Sequence, residues 1–381
     1  MITGAPNFPK GRVFDGHRNR LWANESMAGI RVIRVWTYIA ANEAFARRIL
    51  DFVSYMVTAT IAALFVRRVD IIVATSPQFF TAVAGWMVSV LKRRPWIFEL
   101  RDIWPESIRA VGAMKEGIAV TLLEKLELFL YRRATSIVSV TEAFRNNLTG
   151  RGIDAGKIHV VTNGVDLTRF RRVPKDIELT ARLNLTGKFV VGYIGTMGMA
   201  HALGTLLEAA AKLQEQGKSD VHFVLLGDGA EKAALVEQAR SRGLENVMFL
   251  DTVPKDEIAR YWSLLDASII HLRSTALFQT VIPSKMFECM AMGIPILLGV
   301  KGEAAAILES CEAGLLFKPE CDKSLVAGIR RLANDLSLRS TFSKNGSRAA
   351  QNFDRSVLAA RLLRILRNTA RGTREIEGHD E

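Results

Sequence analysis

The feature that most constrains the fold is a regular alternation of short apolar runs with longer segments of helical periodicity. The apolar runs end at polar or glycine-containing turns, as the strands of a parallel sheet do. The predicted strands are 30–36, 70–74, 96–100, 136–140, 157–161, 189–194, 222–226, 247–250, 268–272 and 296–300. Strands that alternate with helices form a parallel sheet covered by helices on both faces. The pattern therefore predicts an α/β chain in which ligands bind beyond the carboxyl ends of the strands.

The alternation divides into two parts. The chain has 381 residues, a length that usually forms two domains. A polar segment without periodicity, 171–187, separates the parts. We predict two Rossmann-like, doubly wound domains, 1–170 and 188–352, with a cleft between them and a linker at 171–187. An amphipathic helix within 353–381 is expected to cross back and brace the first domain.

The start of the chain departs from this pattern. A doubly wound domain normally begins with a buried strand and a glycine-rich turn, but the segment 4–29 is predicted as a loop. We therefore expect the first domain to lack its leading strand and glycine loop, about one βαβ crossover of roughly 30 residues or more. The mostly apolar segment 45–68 follows. Asp51 and scattered hydroxyl side chains favour a domain helix over a membrane span, with a face against lipid headgroups as a further possibility.

The charge of the chain is basic and uneven. The formal net charge is +12, and residues 1–170 hold 23 Lys and Arg against 14 Asp and Glu. A basic first half indicates an anionic partner, such as a membrane surface, a phosphorylated acceptor or nucleic acid. Ordinary solubilising charge is the alternative. Three cysteines without metal-ligand spacing indicate a reducing, cytosolic compartment, and the six histidines form no metal-binding pair.

The predicted helix between Pro283 and Gly293 contains the clearest chemistry in the sequence. Ser284 is expected to cap its first turn. Lys285 and Glu288 lie three residues apart on one face of that helix. Helix N-terminal amides favour anions, so Lys285 is suited to a phosphate while Glu288 is suited to ribose hydroxyls. The alternative is a solvated lysine beside a carboxylate that only complements the helix dipole.

Further anion-binding features follow other strands of the second half. A glycine-rich turn follows the strand 189–194, and its candidate residues are Gly195, Thr196, Gly198 and His201. Backbone amides in such a turn approach phosphate groups, although one turn without the full dinucleotide-binding spacing is a weak indication. Gly227 ends the next strand. Arg273 follows a later strand, near the expected position of Lys285, and either shares the diphosphate or is a rim charge.

Polar residues also follow the strands of the first half. Thr75 and Ser76 end one strand, Arg101 and Asp102 end another, and the cluster 163–166 follows the last. The carboxyl ends of parallel strands share one edge, which predicts an acceptor-binding surface there. Asp102 is the candidate for contact with an acceptor hydroxyl. A salt bridge with Arg101, or a cap of the following turn, is an equally open interpretation.

Together these motifs resemble those of the GT-B glycosyltransferases of family 4. The motifs are PSKMFE at 283–288, Gly293 and Pro295 after it, GEA at 302–304, NGVD at 163–166, the loop at 195 and RDIWPES at 101–107. The last one is similar to the WbuB-like branch, the fucosamine transferases of surface polysaccharide assembly. The resemblance covers nearly the whole chain and implies a GT-B fold.

The resemblance implies a retaining glycosyltransferase that uses a UDP-linked sugar donor and a lipid-linked or saccharide acceptor in cell-surface polysaccharide biosynthesis. The implied catalytic residues are Asp102, Lys285 and Glu288. The implied donor site comprises Gly195, Thr196, Gly198, His201, Gly227, Arg273, Ser284, Lys285, Glu288 and Glu303. The implied acceptor side comprises Thr75, Ser76, Arg101 and Asp102.

In the implied mechanism, protein groups stabilise the departing diphosphate, so neither a metal nor another cofactor is expected. The lipid-linked acceptor implies a cytoplasmic protein at the inner face of the plasma membrane, in peripheral contact with anionic lipid. No nucleic-acid partner is expected. The family commonly has a Glu at the position of Thr280, so we expect part of the sugar contact to come from elsewhere.

Three alternatives differ in class. The first is an inactive sugar-nucleotide binder that lacks the N-terminal unit. The second is a nucleotide-sugar epimerase of the same fold, which the shortage of histidines at strand ends disfavours. The third is a nucleic-acid-binding protein, for which the chain has no basic–aromatic motif.

Overall fold

The computed structural model describes residues 1–7, 11–39, 45–103, 117–217 and 220–377. The chain forms two compact units. The first is Met1–Val161 together with the C-terminal segment that begins at Arg361, and the second is Thr162–Ala360. Both units contain parallel sheets flanked by helices. The predicted α/β fold with parallel sheets is therefore confirmed.

The described strands of the first unit form two sheets. The strands are β1 (Ile2–Thr3), β2 (Trp22–Met27), β3 (Ile30–Val35), β4 (Ile72–Thr75), β5 (Trp96–Leu100), β6 (Ser136–Ser139) and β7 (Ile158–Val160). The helices are α1 (Phe45–Leu64), α2 (Phe79–Lys92), α3 (Ile118–Arg133) and α4 (Glu142–Gly150). The strand order is β1-β3-β2 in one sheet and β4-β5-β6-β7 in the other, which is parallel throughout.

The core of the four-stranded sheet explains why its central strand was easy to predict. Trp96, Ile97, Phe98 and Leu100 are almost completely buried, as expected for a parallel strand covered on both faces. Gly85 of α2 faces Ala74 of β4 so closely that a Cβ at position 85 would overlap the alanine methyl. A glycine therefore permits close packing of this helix on the sheet.

The prediction that the first strand is 30–36 is wrong. β1 and β2 precede it, and β2 pairs with β3 in an antiparallel hairpin. Ala28 and Gly29 both have positive φ angles, of 48° and 79°, as a two-residue turn of type I′ requires. The sequence pattern did not predict β2, because the strand is polar and mostly exposed at a sheet edge and therefore has little apolar periodicity.

The second unit has one parallel six-stranded sheet. Its strands are β8 (Phe189–Ile194), β9 (Val221–Leu226), β10 (Val247–Leu250), β11 (Ala267–His271), β12 (Ile296–Gly299) and β13 (Gly314–Leu316), in the order β10-β9-β8-β11-β12-β13. The helices are α5 (Ile177–Arg182), α6 (Gly204–Glu215), α7 (Lys232–Ser241), α8 (Ile258–Trp262), α9 (Lys285–Met292), α10 (Glu303–Cys311), α11 (Asp322–Asn334) and α12 (Leu336–Ala349). The final helix, α13 (Arg355–Glu377), begins in this unit.

The residues of β8 alternate between the two hydrophobic cores of this unit. Val190 and Ile194 pack into the core that contains α9. Val191 and Tyr193 pack into the core on the opposite face of the sheet, which contains α6. This alternation follows from the two-residue period of a strand. It places Tyr193 at the carboxyl end of the central strand β8, directly before the glycine-rich turn.

The segment predicted as a linker, 171–187, instead belongs to the second unit. It contains α5, and its residues Leu179 and Leu185 are each about 1% exposed in the core. The Asp176 side chain caps α5 by accepting a hydrogen bond of 2.9 Å from the Leu179 N–H. Six residues are too few to produce a recognisable helical period, so the sequence pattern did not reveal this helix.

The NGVD motif at 163–166 lies against the start of α13 in the second unit. The Val165 N–H donates to the Phe353 carbonyl, and the Arg355 N–H donates to the Val165 carbonyl, both over 2.9 Å. Val165 is fully buried in the core that contains α9. The motif follows β7, the last strand of the first unit, as predicted. Its apolar residue Val165, however, packs in a core of the second unit.

Candidate active site

The helix α9 begins at Lys285 and ends at Met292. Gly293 adopts the left-handed conformation that ends many helices, with φ of 66°. Ser284 has helical backbone angles and makes no capping hydrogen bond through its side chain. The prediction that Ser284 caps the helix is therefore wrong, because a capping residue needs an extended backbone to fold its oxygen back.

Lys285 extends from α9 across the glycine-rich turn to the end of β8. Its Nζ atom lies 3.9 Å from the centre of the Tyr193 ring. A Cβ at position 195 would lie only 2.7 Å from that Nζ, so a side chain there would displace the lysine. The φ of 143° at Gly195 also favours glycine. The ammonium is shielded from solvent and has no hydrogen-bond partner among the described residues. Burial lowers the pKa of Lys285 to about 8.

The glycine-rich turn at 195–198 packs against a second glycine turn at 227–229. The Gly195 N–H donates to the Leu226 carbonyl over 2.9 Å, and the Met197 N–H donates to the Asp228 carbonyl over 2.8 Å. A Cβ at Gly227 would overlap the Gly195 carbonyl oxygen. The predicted donor residues Gly195 and Gly227 are therefore in direct contact, and each needs a backbone without a side chain.

Glu288 lies one helical turn after Lys285 and is half-buried. Burial raises the pKa of its carboxyl above the usual range, and the nearby charges of Lys285, Arg355 and Arg169 partly oppose this rise. The two arginines were not predicted as site residues. They come from segments distant in sequence, and only the folded structure brings them near Glu288.

His201 lies beside Tyr193 and within reach of the Lys285 charge, whereas Arg273 contacts the 3₁₀ turn that ends at His201. His201 Nδ1 lies 3.4 Å from the His271 carbonyl oxygen, and its ring meets Tyr193 edge-on with ring centres 5.7 Å apart. Burial, followed by the charge of Lys285, lowers the pKa of His201 to about 4, so the imidazole is neutral at pH 7. Arg273 is exposed, and its Nε donates to the Met199 carbonyl over 2.5 Å.

The remaining predicted donor residues also belong to the second unit. Thr196 accepts a hydrogen bond of 2.6 Å at its carbonyl from the Tyr193 hydroxyl. Gly198 precedes the short 3₁₀ turn Met199–His201. Glu303 is the first residue of α10. The structure thus brings Lys285 together with Gly195, His201 and Glu288, and it adds Tyr193, which the sequence pattern had indicated only as a strand residue.

The predicted acceptor residues cluster at the ends of β4 and β5 in the first unit. The Ser76 Oγ accepts hydrogen bonds from the N–H groups of Arg101, over 2.9 Å, and Asp102, over 3.3 Å. Thr75 donates to Glu99, which also lies 3.9 Å from Arg101. Glu99 was overlooked because it was assigned to the strand. Residues 104–107 of the RDIWPES motif lie outside the described residues.

Two further observations concern the described part of the chain. No three His, Cys, Asp or Glu side chains in it are arranged to hold a metal ion. The expectation of catalysis without a metal stays a prediction. No described helix combines the length and the apolar character needed to cross a bilayer.

Two units that each contain a parallel sheet, together with a buried lysine at a glycine turn, are features of a GT-B glycosyltransferase. The family described as glycosyl transferases group 1 matches residues 176–349, and the glycosyl transferase 4-like domain matches residues 12–164. Together they span most of the chain. The chain therefore belongs to the group 1, family 4-like glycosyltransferases, and it is an enzyme of that class. The predicted family is confirmed, whereas the WbuB-like branch stays a prediction.

Relatives in other organisms support the family assignment. The chain is 23% identical to WcaI of Escherichia coli (strain K12), named as a colanic acid biosynthesis glycosyl transferase, over 98% of this chain and 91% of WcaI. It is 21% identical to CapM of Staphylococcus aureus, a capsular polysaccharide biosynthesis glycosyltransferase, over 75% of this chain and 73% of CapM. The crystal structure of Anabaena HepE in complex with UDP has a TM-score of 0.69 at 21% identity, over 84% of each chain.

Proposed function

We propose that this glycosyltransferase moves a sugar from a UDP-linked donor to a lipid-linked or saccharide acceptor in surface polysaccharide biosynthesis. The observation that supports the donor most directly is the Lys285 ammonium, which is buried without a hydrogen-bond partner among the described residues and lies against Gly195. A buried cation of this kind is costly unless an anion binds to it. The diphosphate of a nucleotide sugar supplies that anion.

The proposed mechanism assigns a charge-stabilising role to each donor residue. As the bond between sugar and diphosphate breaks, negative charge grows on the leaving diphosphate and positive charge grows on the sugar. Lys285, Arg273 and the amides of Thr196 and Gly198 stabilise that diphosphate, since the other two amides of the 195–198 turn already donate to backbone carbonyls. Glu288 accepts hydrogen bonds from the ribose hydroxyls. Preorganised groups of this kind lower the barrier because the charge they meet develops in the transition state.

The acceptor assignment is supported by the cluster around Ser76. Arg101 and Asp102 are held at the end of β5 by hydrogen bonds to the Ser76 hydroxyl. We propose that Asp102 contacts the acceptor hydroxyl and that the sugar is transferred with retention of its anomeric configuration. The reaction requires no metal in this proposal. The names of WcaI and CapM support a polysaccharide product.

The decisive experiment is a calorimetric titration of the purified chain with UDP, followed by assays with a panel of UDP-sugars. We expect UDP binding that Lys285→Met weakens at least tenfold, because the variant lacks the buried ammonium proposed to meet the diphosphate, and the exposed Arg273 does not replace it. The matched control is Lys344→Met, which removes an exposed lysine of α12. No binding of UDP by the unmodified chain would contradict the proposed donor.

Turnover separates an enzyme with a working site from a protein that only binds sugar nucleotides. We expect Glu288→Ala to abolish sugar transfer while the folded circular-dichroism spectrum persists. Nuclear magnetic resonance of the product then reports whether the anomeric configuration is retained. Binding of UDP without transfer to any lipid-linked or saccharide acceptor would favour the non-catalytic binder, and unchanged turnover of Glu288→Ala would contradict the site.

The membrane contact that we propose at the cytoplasmic face has a candidate surface in the first unit. One side of α1 and the turn after it expose Leu50, Val57, Ile61, Leu64 and Phe65. The Lys92 ammonium donates to the carbonyls of Leu64 and Val66, so the ends of α1 and α2 meet. Four exposed arginines flank that junction, namely Arg67, Arg68, Arg93 and Arg94. Apolar side chains beside a basic cluster suit an anionic lipid surface.

Vesicle co-sedimentation tests this surface. We expect the chain to bind vesicles that contain phosphatidylglycerol, less so at high salt, and to leave neutral vesicles unbound. The double change Arg67→Gln with Arg94→Gln should weaken binding several-fold. The same loss of charge on the second unit, Arg331→Gln with Arg348→Gln, is the control. Equal weakening by both pairs would show that only net charge matters.

A further inference from the structure

The side chain of Tyr193 contacts several parts of the proposed donor site. It is about 1% exposed at the end of β8. Its ring lies 3.9 Å below the Lys285 ammonium and meets the His201 ring edge-on. Its hydroxyl donates to the Thr196 carbonyl over 2.6 Å, within the glycine-rich turn. One residue therefore contacts the lysine, the turn and the histidine.

The ring stabilises a charge that the site would otherwise not tolerate. A buried ammonium loses its hydration and normally needs a carboxylate partner. A carboxylate on Lys285, however, would compete with an incoming anion. The face of an aromatic ring attracts a cation through its quadrupole without neutralising the charge. Tyr193 thus offsets part of the cost of burial and leaves the ammonium available to a diphosphate.

The hydroxyl has a separate effect on the turn. The Tyr193 hydroxyl donates to the carbonyl of Thr196, three residues later, and so ties the end of β8 to the glycine-rich turn. The Gly195 backbone lies between these two residues, where Lys285 passes. The position of the lysine and the position of the turn amides are therefore set by the same side chain.

We infer that Tyr193 is a positioning residue of the donor site, whose ring keeps Lys285 charged and aimed across Gly195 and whose hydroxyl holds the turn at Thr196 before the diphosphate arrives. This inference rests on the proposed function. It predicts a difference between losing the hydroxyl and losing the ring. Tyr193→Phe keeps the ring, whereas Tyr193→Leu removes it.

The pH dependence of UDP binding distinguishes this role from general packing. Lys285 binds a diphosphate only when protonated, so affinity falls as the pH rises through the pKa of the free lysine, about 8. Removal of the Tyr193 ring lowers the pKa of Lys285 further, because the attraction of the ring for the ammonium then no longer offsets part of the cost of its burial. Burial raises the pKa of Tyr193 well above its ordinary value. The second pKa of a phosphate group is about 6, so UDP is about nine-tenths ionised at pH 7 and its charge changes little between pH 7 and 9. The phenol does not titrate in that range.

The experiment is a UDP titration by calorimetry at intervals from pH 7 to 9 with the 381-residue chain. For Tyr193→Leu we expect a loss of affinity that begins at lower pH than in the unmodified chain, and binding about tenfold weaker at pH 8. Tyr193→Phe should keep the unmodified pH profile and lose no more than about threefold in affinity. Lys285→Met should lose the pH dependence altogether.

If Tyr193→Leu does not fold, a second series of variants that keep the shape of the side chain tests the same inference. Phenylalanine with increasing numbers of ring fluorines at position 193 keeps the packing but withdraws electron density from the ring face. UDP affinity at pH 8 should fall step by step with fluorine content. Equal affinity across the series, with UDP bound normally by the unmodified chain, overturns the inference alone. Failure of the unmodified chain to bind UDP overturns the proposed function instead.

Discussion

At the scale of single residues, the donor site depends on positions where a side chain has no room. Gly195 has a φ of 143° and lies directly below the Lys285 ammonium. Gly227 and Gly229 also have φ angles that favour glycine, and each faces a backbone carbonyl of the 195–198 turn. These glycines let two turns approach each other, and the amides and the lysine are thereby concentrated in one small region.

Gly195→Ala should therefore weaken UDP binding by at least tenfold with little effect elsewhere. The added Cβ would lie 2.7 Å from Lys285 Nζ and 3.3 Å from its Cε, so the lysine must move away from the turn. Calorimetry measures the effect. Gly198→Ala is the matched control in the same turn, since its Cβ would meet only the Thr196 methyl at 3.8 Å. Equal affinities of the two variants would contradict this placement of Lys285.

His201 provides a prediction about pH and stability at the same scale. Its pKa is about 4 in the folded protein, against about 6.5 in an unfolded chain. Between these values the unfolded state binds a proton that the folded state excludes, so His201 makes the folded state less stable as the pH falls from 6.5 to 4. Above pH 6.5 it has no such effect.

Urea unfolding of the unmodified chain and of His201→Gln measures this effect. As the pH falls from 6.5 to 4, the unfolding free energy of His201→Gln should rise relative to that of the unmodified chain. The difference between the two should be constant between pH 7 and 8. A difference that does not vary with pH would show that the imidazole is not protonated on unfolding and would contradict its burial as a neutral group.

At the scale of elements, the NGVD motif and the start of α13 stabilise each other. The pairing of Val165 with the Phe353–Arg355 backbone fixes one end of α13 in the second unit. The rings of Phe353 and Phe287 pack with centres 4.4 Å apart. Since Phe287 is the neighbour of Glu288 in α9, this packing also supports the helix that contains the proposed catalytic pair.

Gly164→Ala should destabilise the second unit by about 2 kcal/mol or more. The added Cβ would overlap the Phe353 carbonyl oxygen and lie 2.5 Å from the Leu358 side chain, so the motif and α13 must separate. Urea unfolding is the measurement. Gly150→Ala, at the end of α4, adds a methyl group in open space and should be neutral or slightly stabilising. A neutral Gly164→Ala would contradict the close contact.

At the scale of the whole molecule, the division into two units with separate cores predicts two unfolding transitions. The first unit is built around Ile137 and the aromatic residues of β5, whereas the second has the two cores on either face of its six-stranded sheet. Lys285, Glu288 and the glycine turns all belong to the second unit. A ligand of that site therefore stabilises only the second unit directly.

Differential scanning calorimetry tests this independence. UDP at a hundred times its dissociation constant should stabilise the unfolding transition of the second unit by about 2.7 kcal/mol. The transition of the first unit should be unchanged. Ile137→Ala should destabilise the first unit, and so its unfolding transition, by about 2–5 kcal/mol. A single transition that both changes shift would show that the two units unfold together.

Much of the fold was predictable because fully buried strands have a strong signal. The strands 96–100 and 189–194 have the predicted bounds, since parallel strands covered on both faces are continuous apolar runs. The edge strand 247–250 also has the predicted bounds, although its residues are only partly buried. The edge strand β2 and the short helix α5 were not predictable, because their residues have no period long enough to detect. The predicted Ser284 cap failed for a local reason, since the backbone at that residue is helical.

The amino-acid sequence by itself determined which segments can become strands and helices, because these depend on short-range sterics and on the period of apolar residues. It also placed Lys285 and Glu288 on one helix. Only the tertiary structure decided that the Tyr193 ring lies below Lys285, that Arg169 and Arg355 approach Glu288, and that Val165 packs in the second core. Contacts between distant segments depend on how the whole chain packs, and no local pattern encodes them.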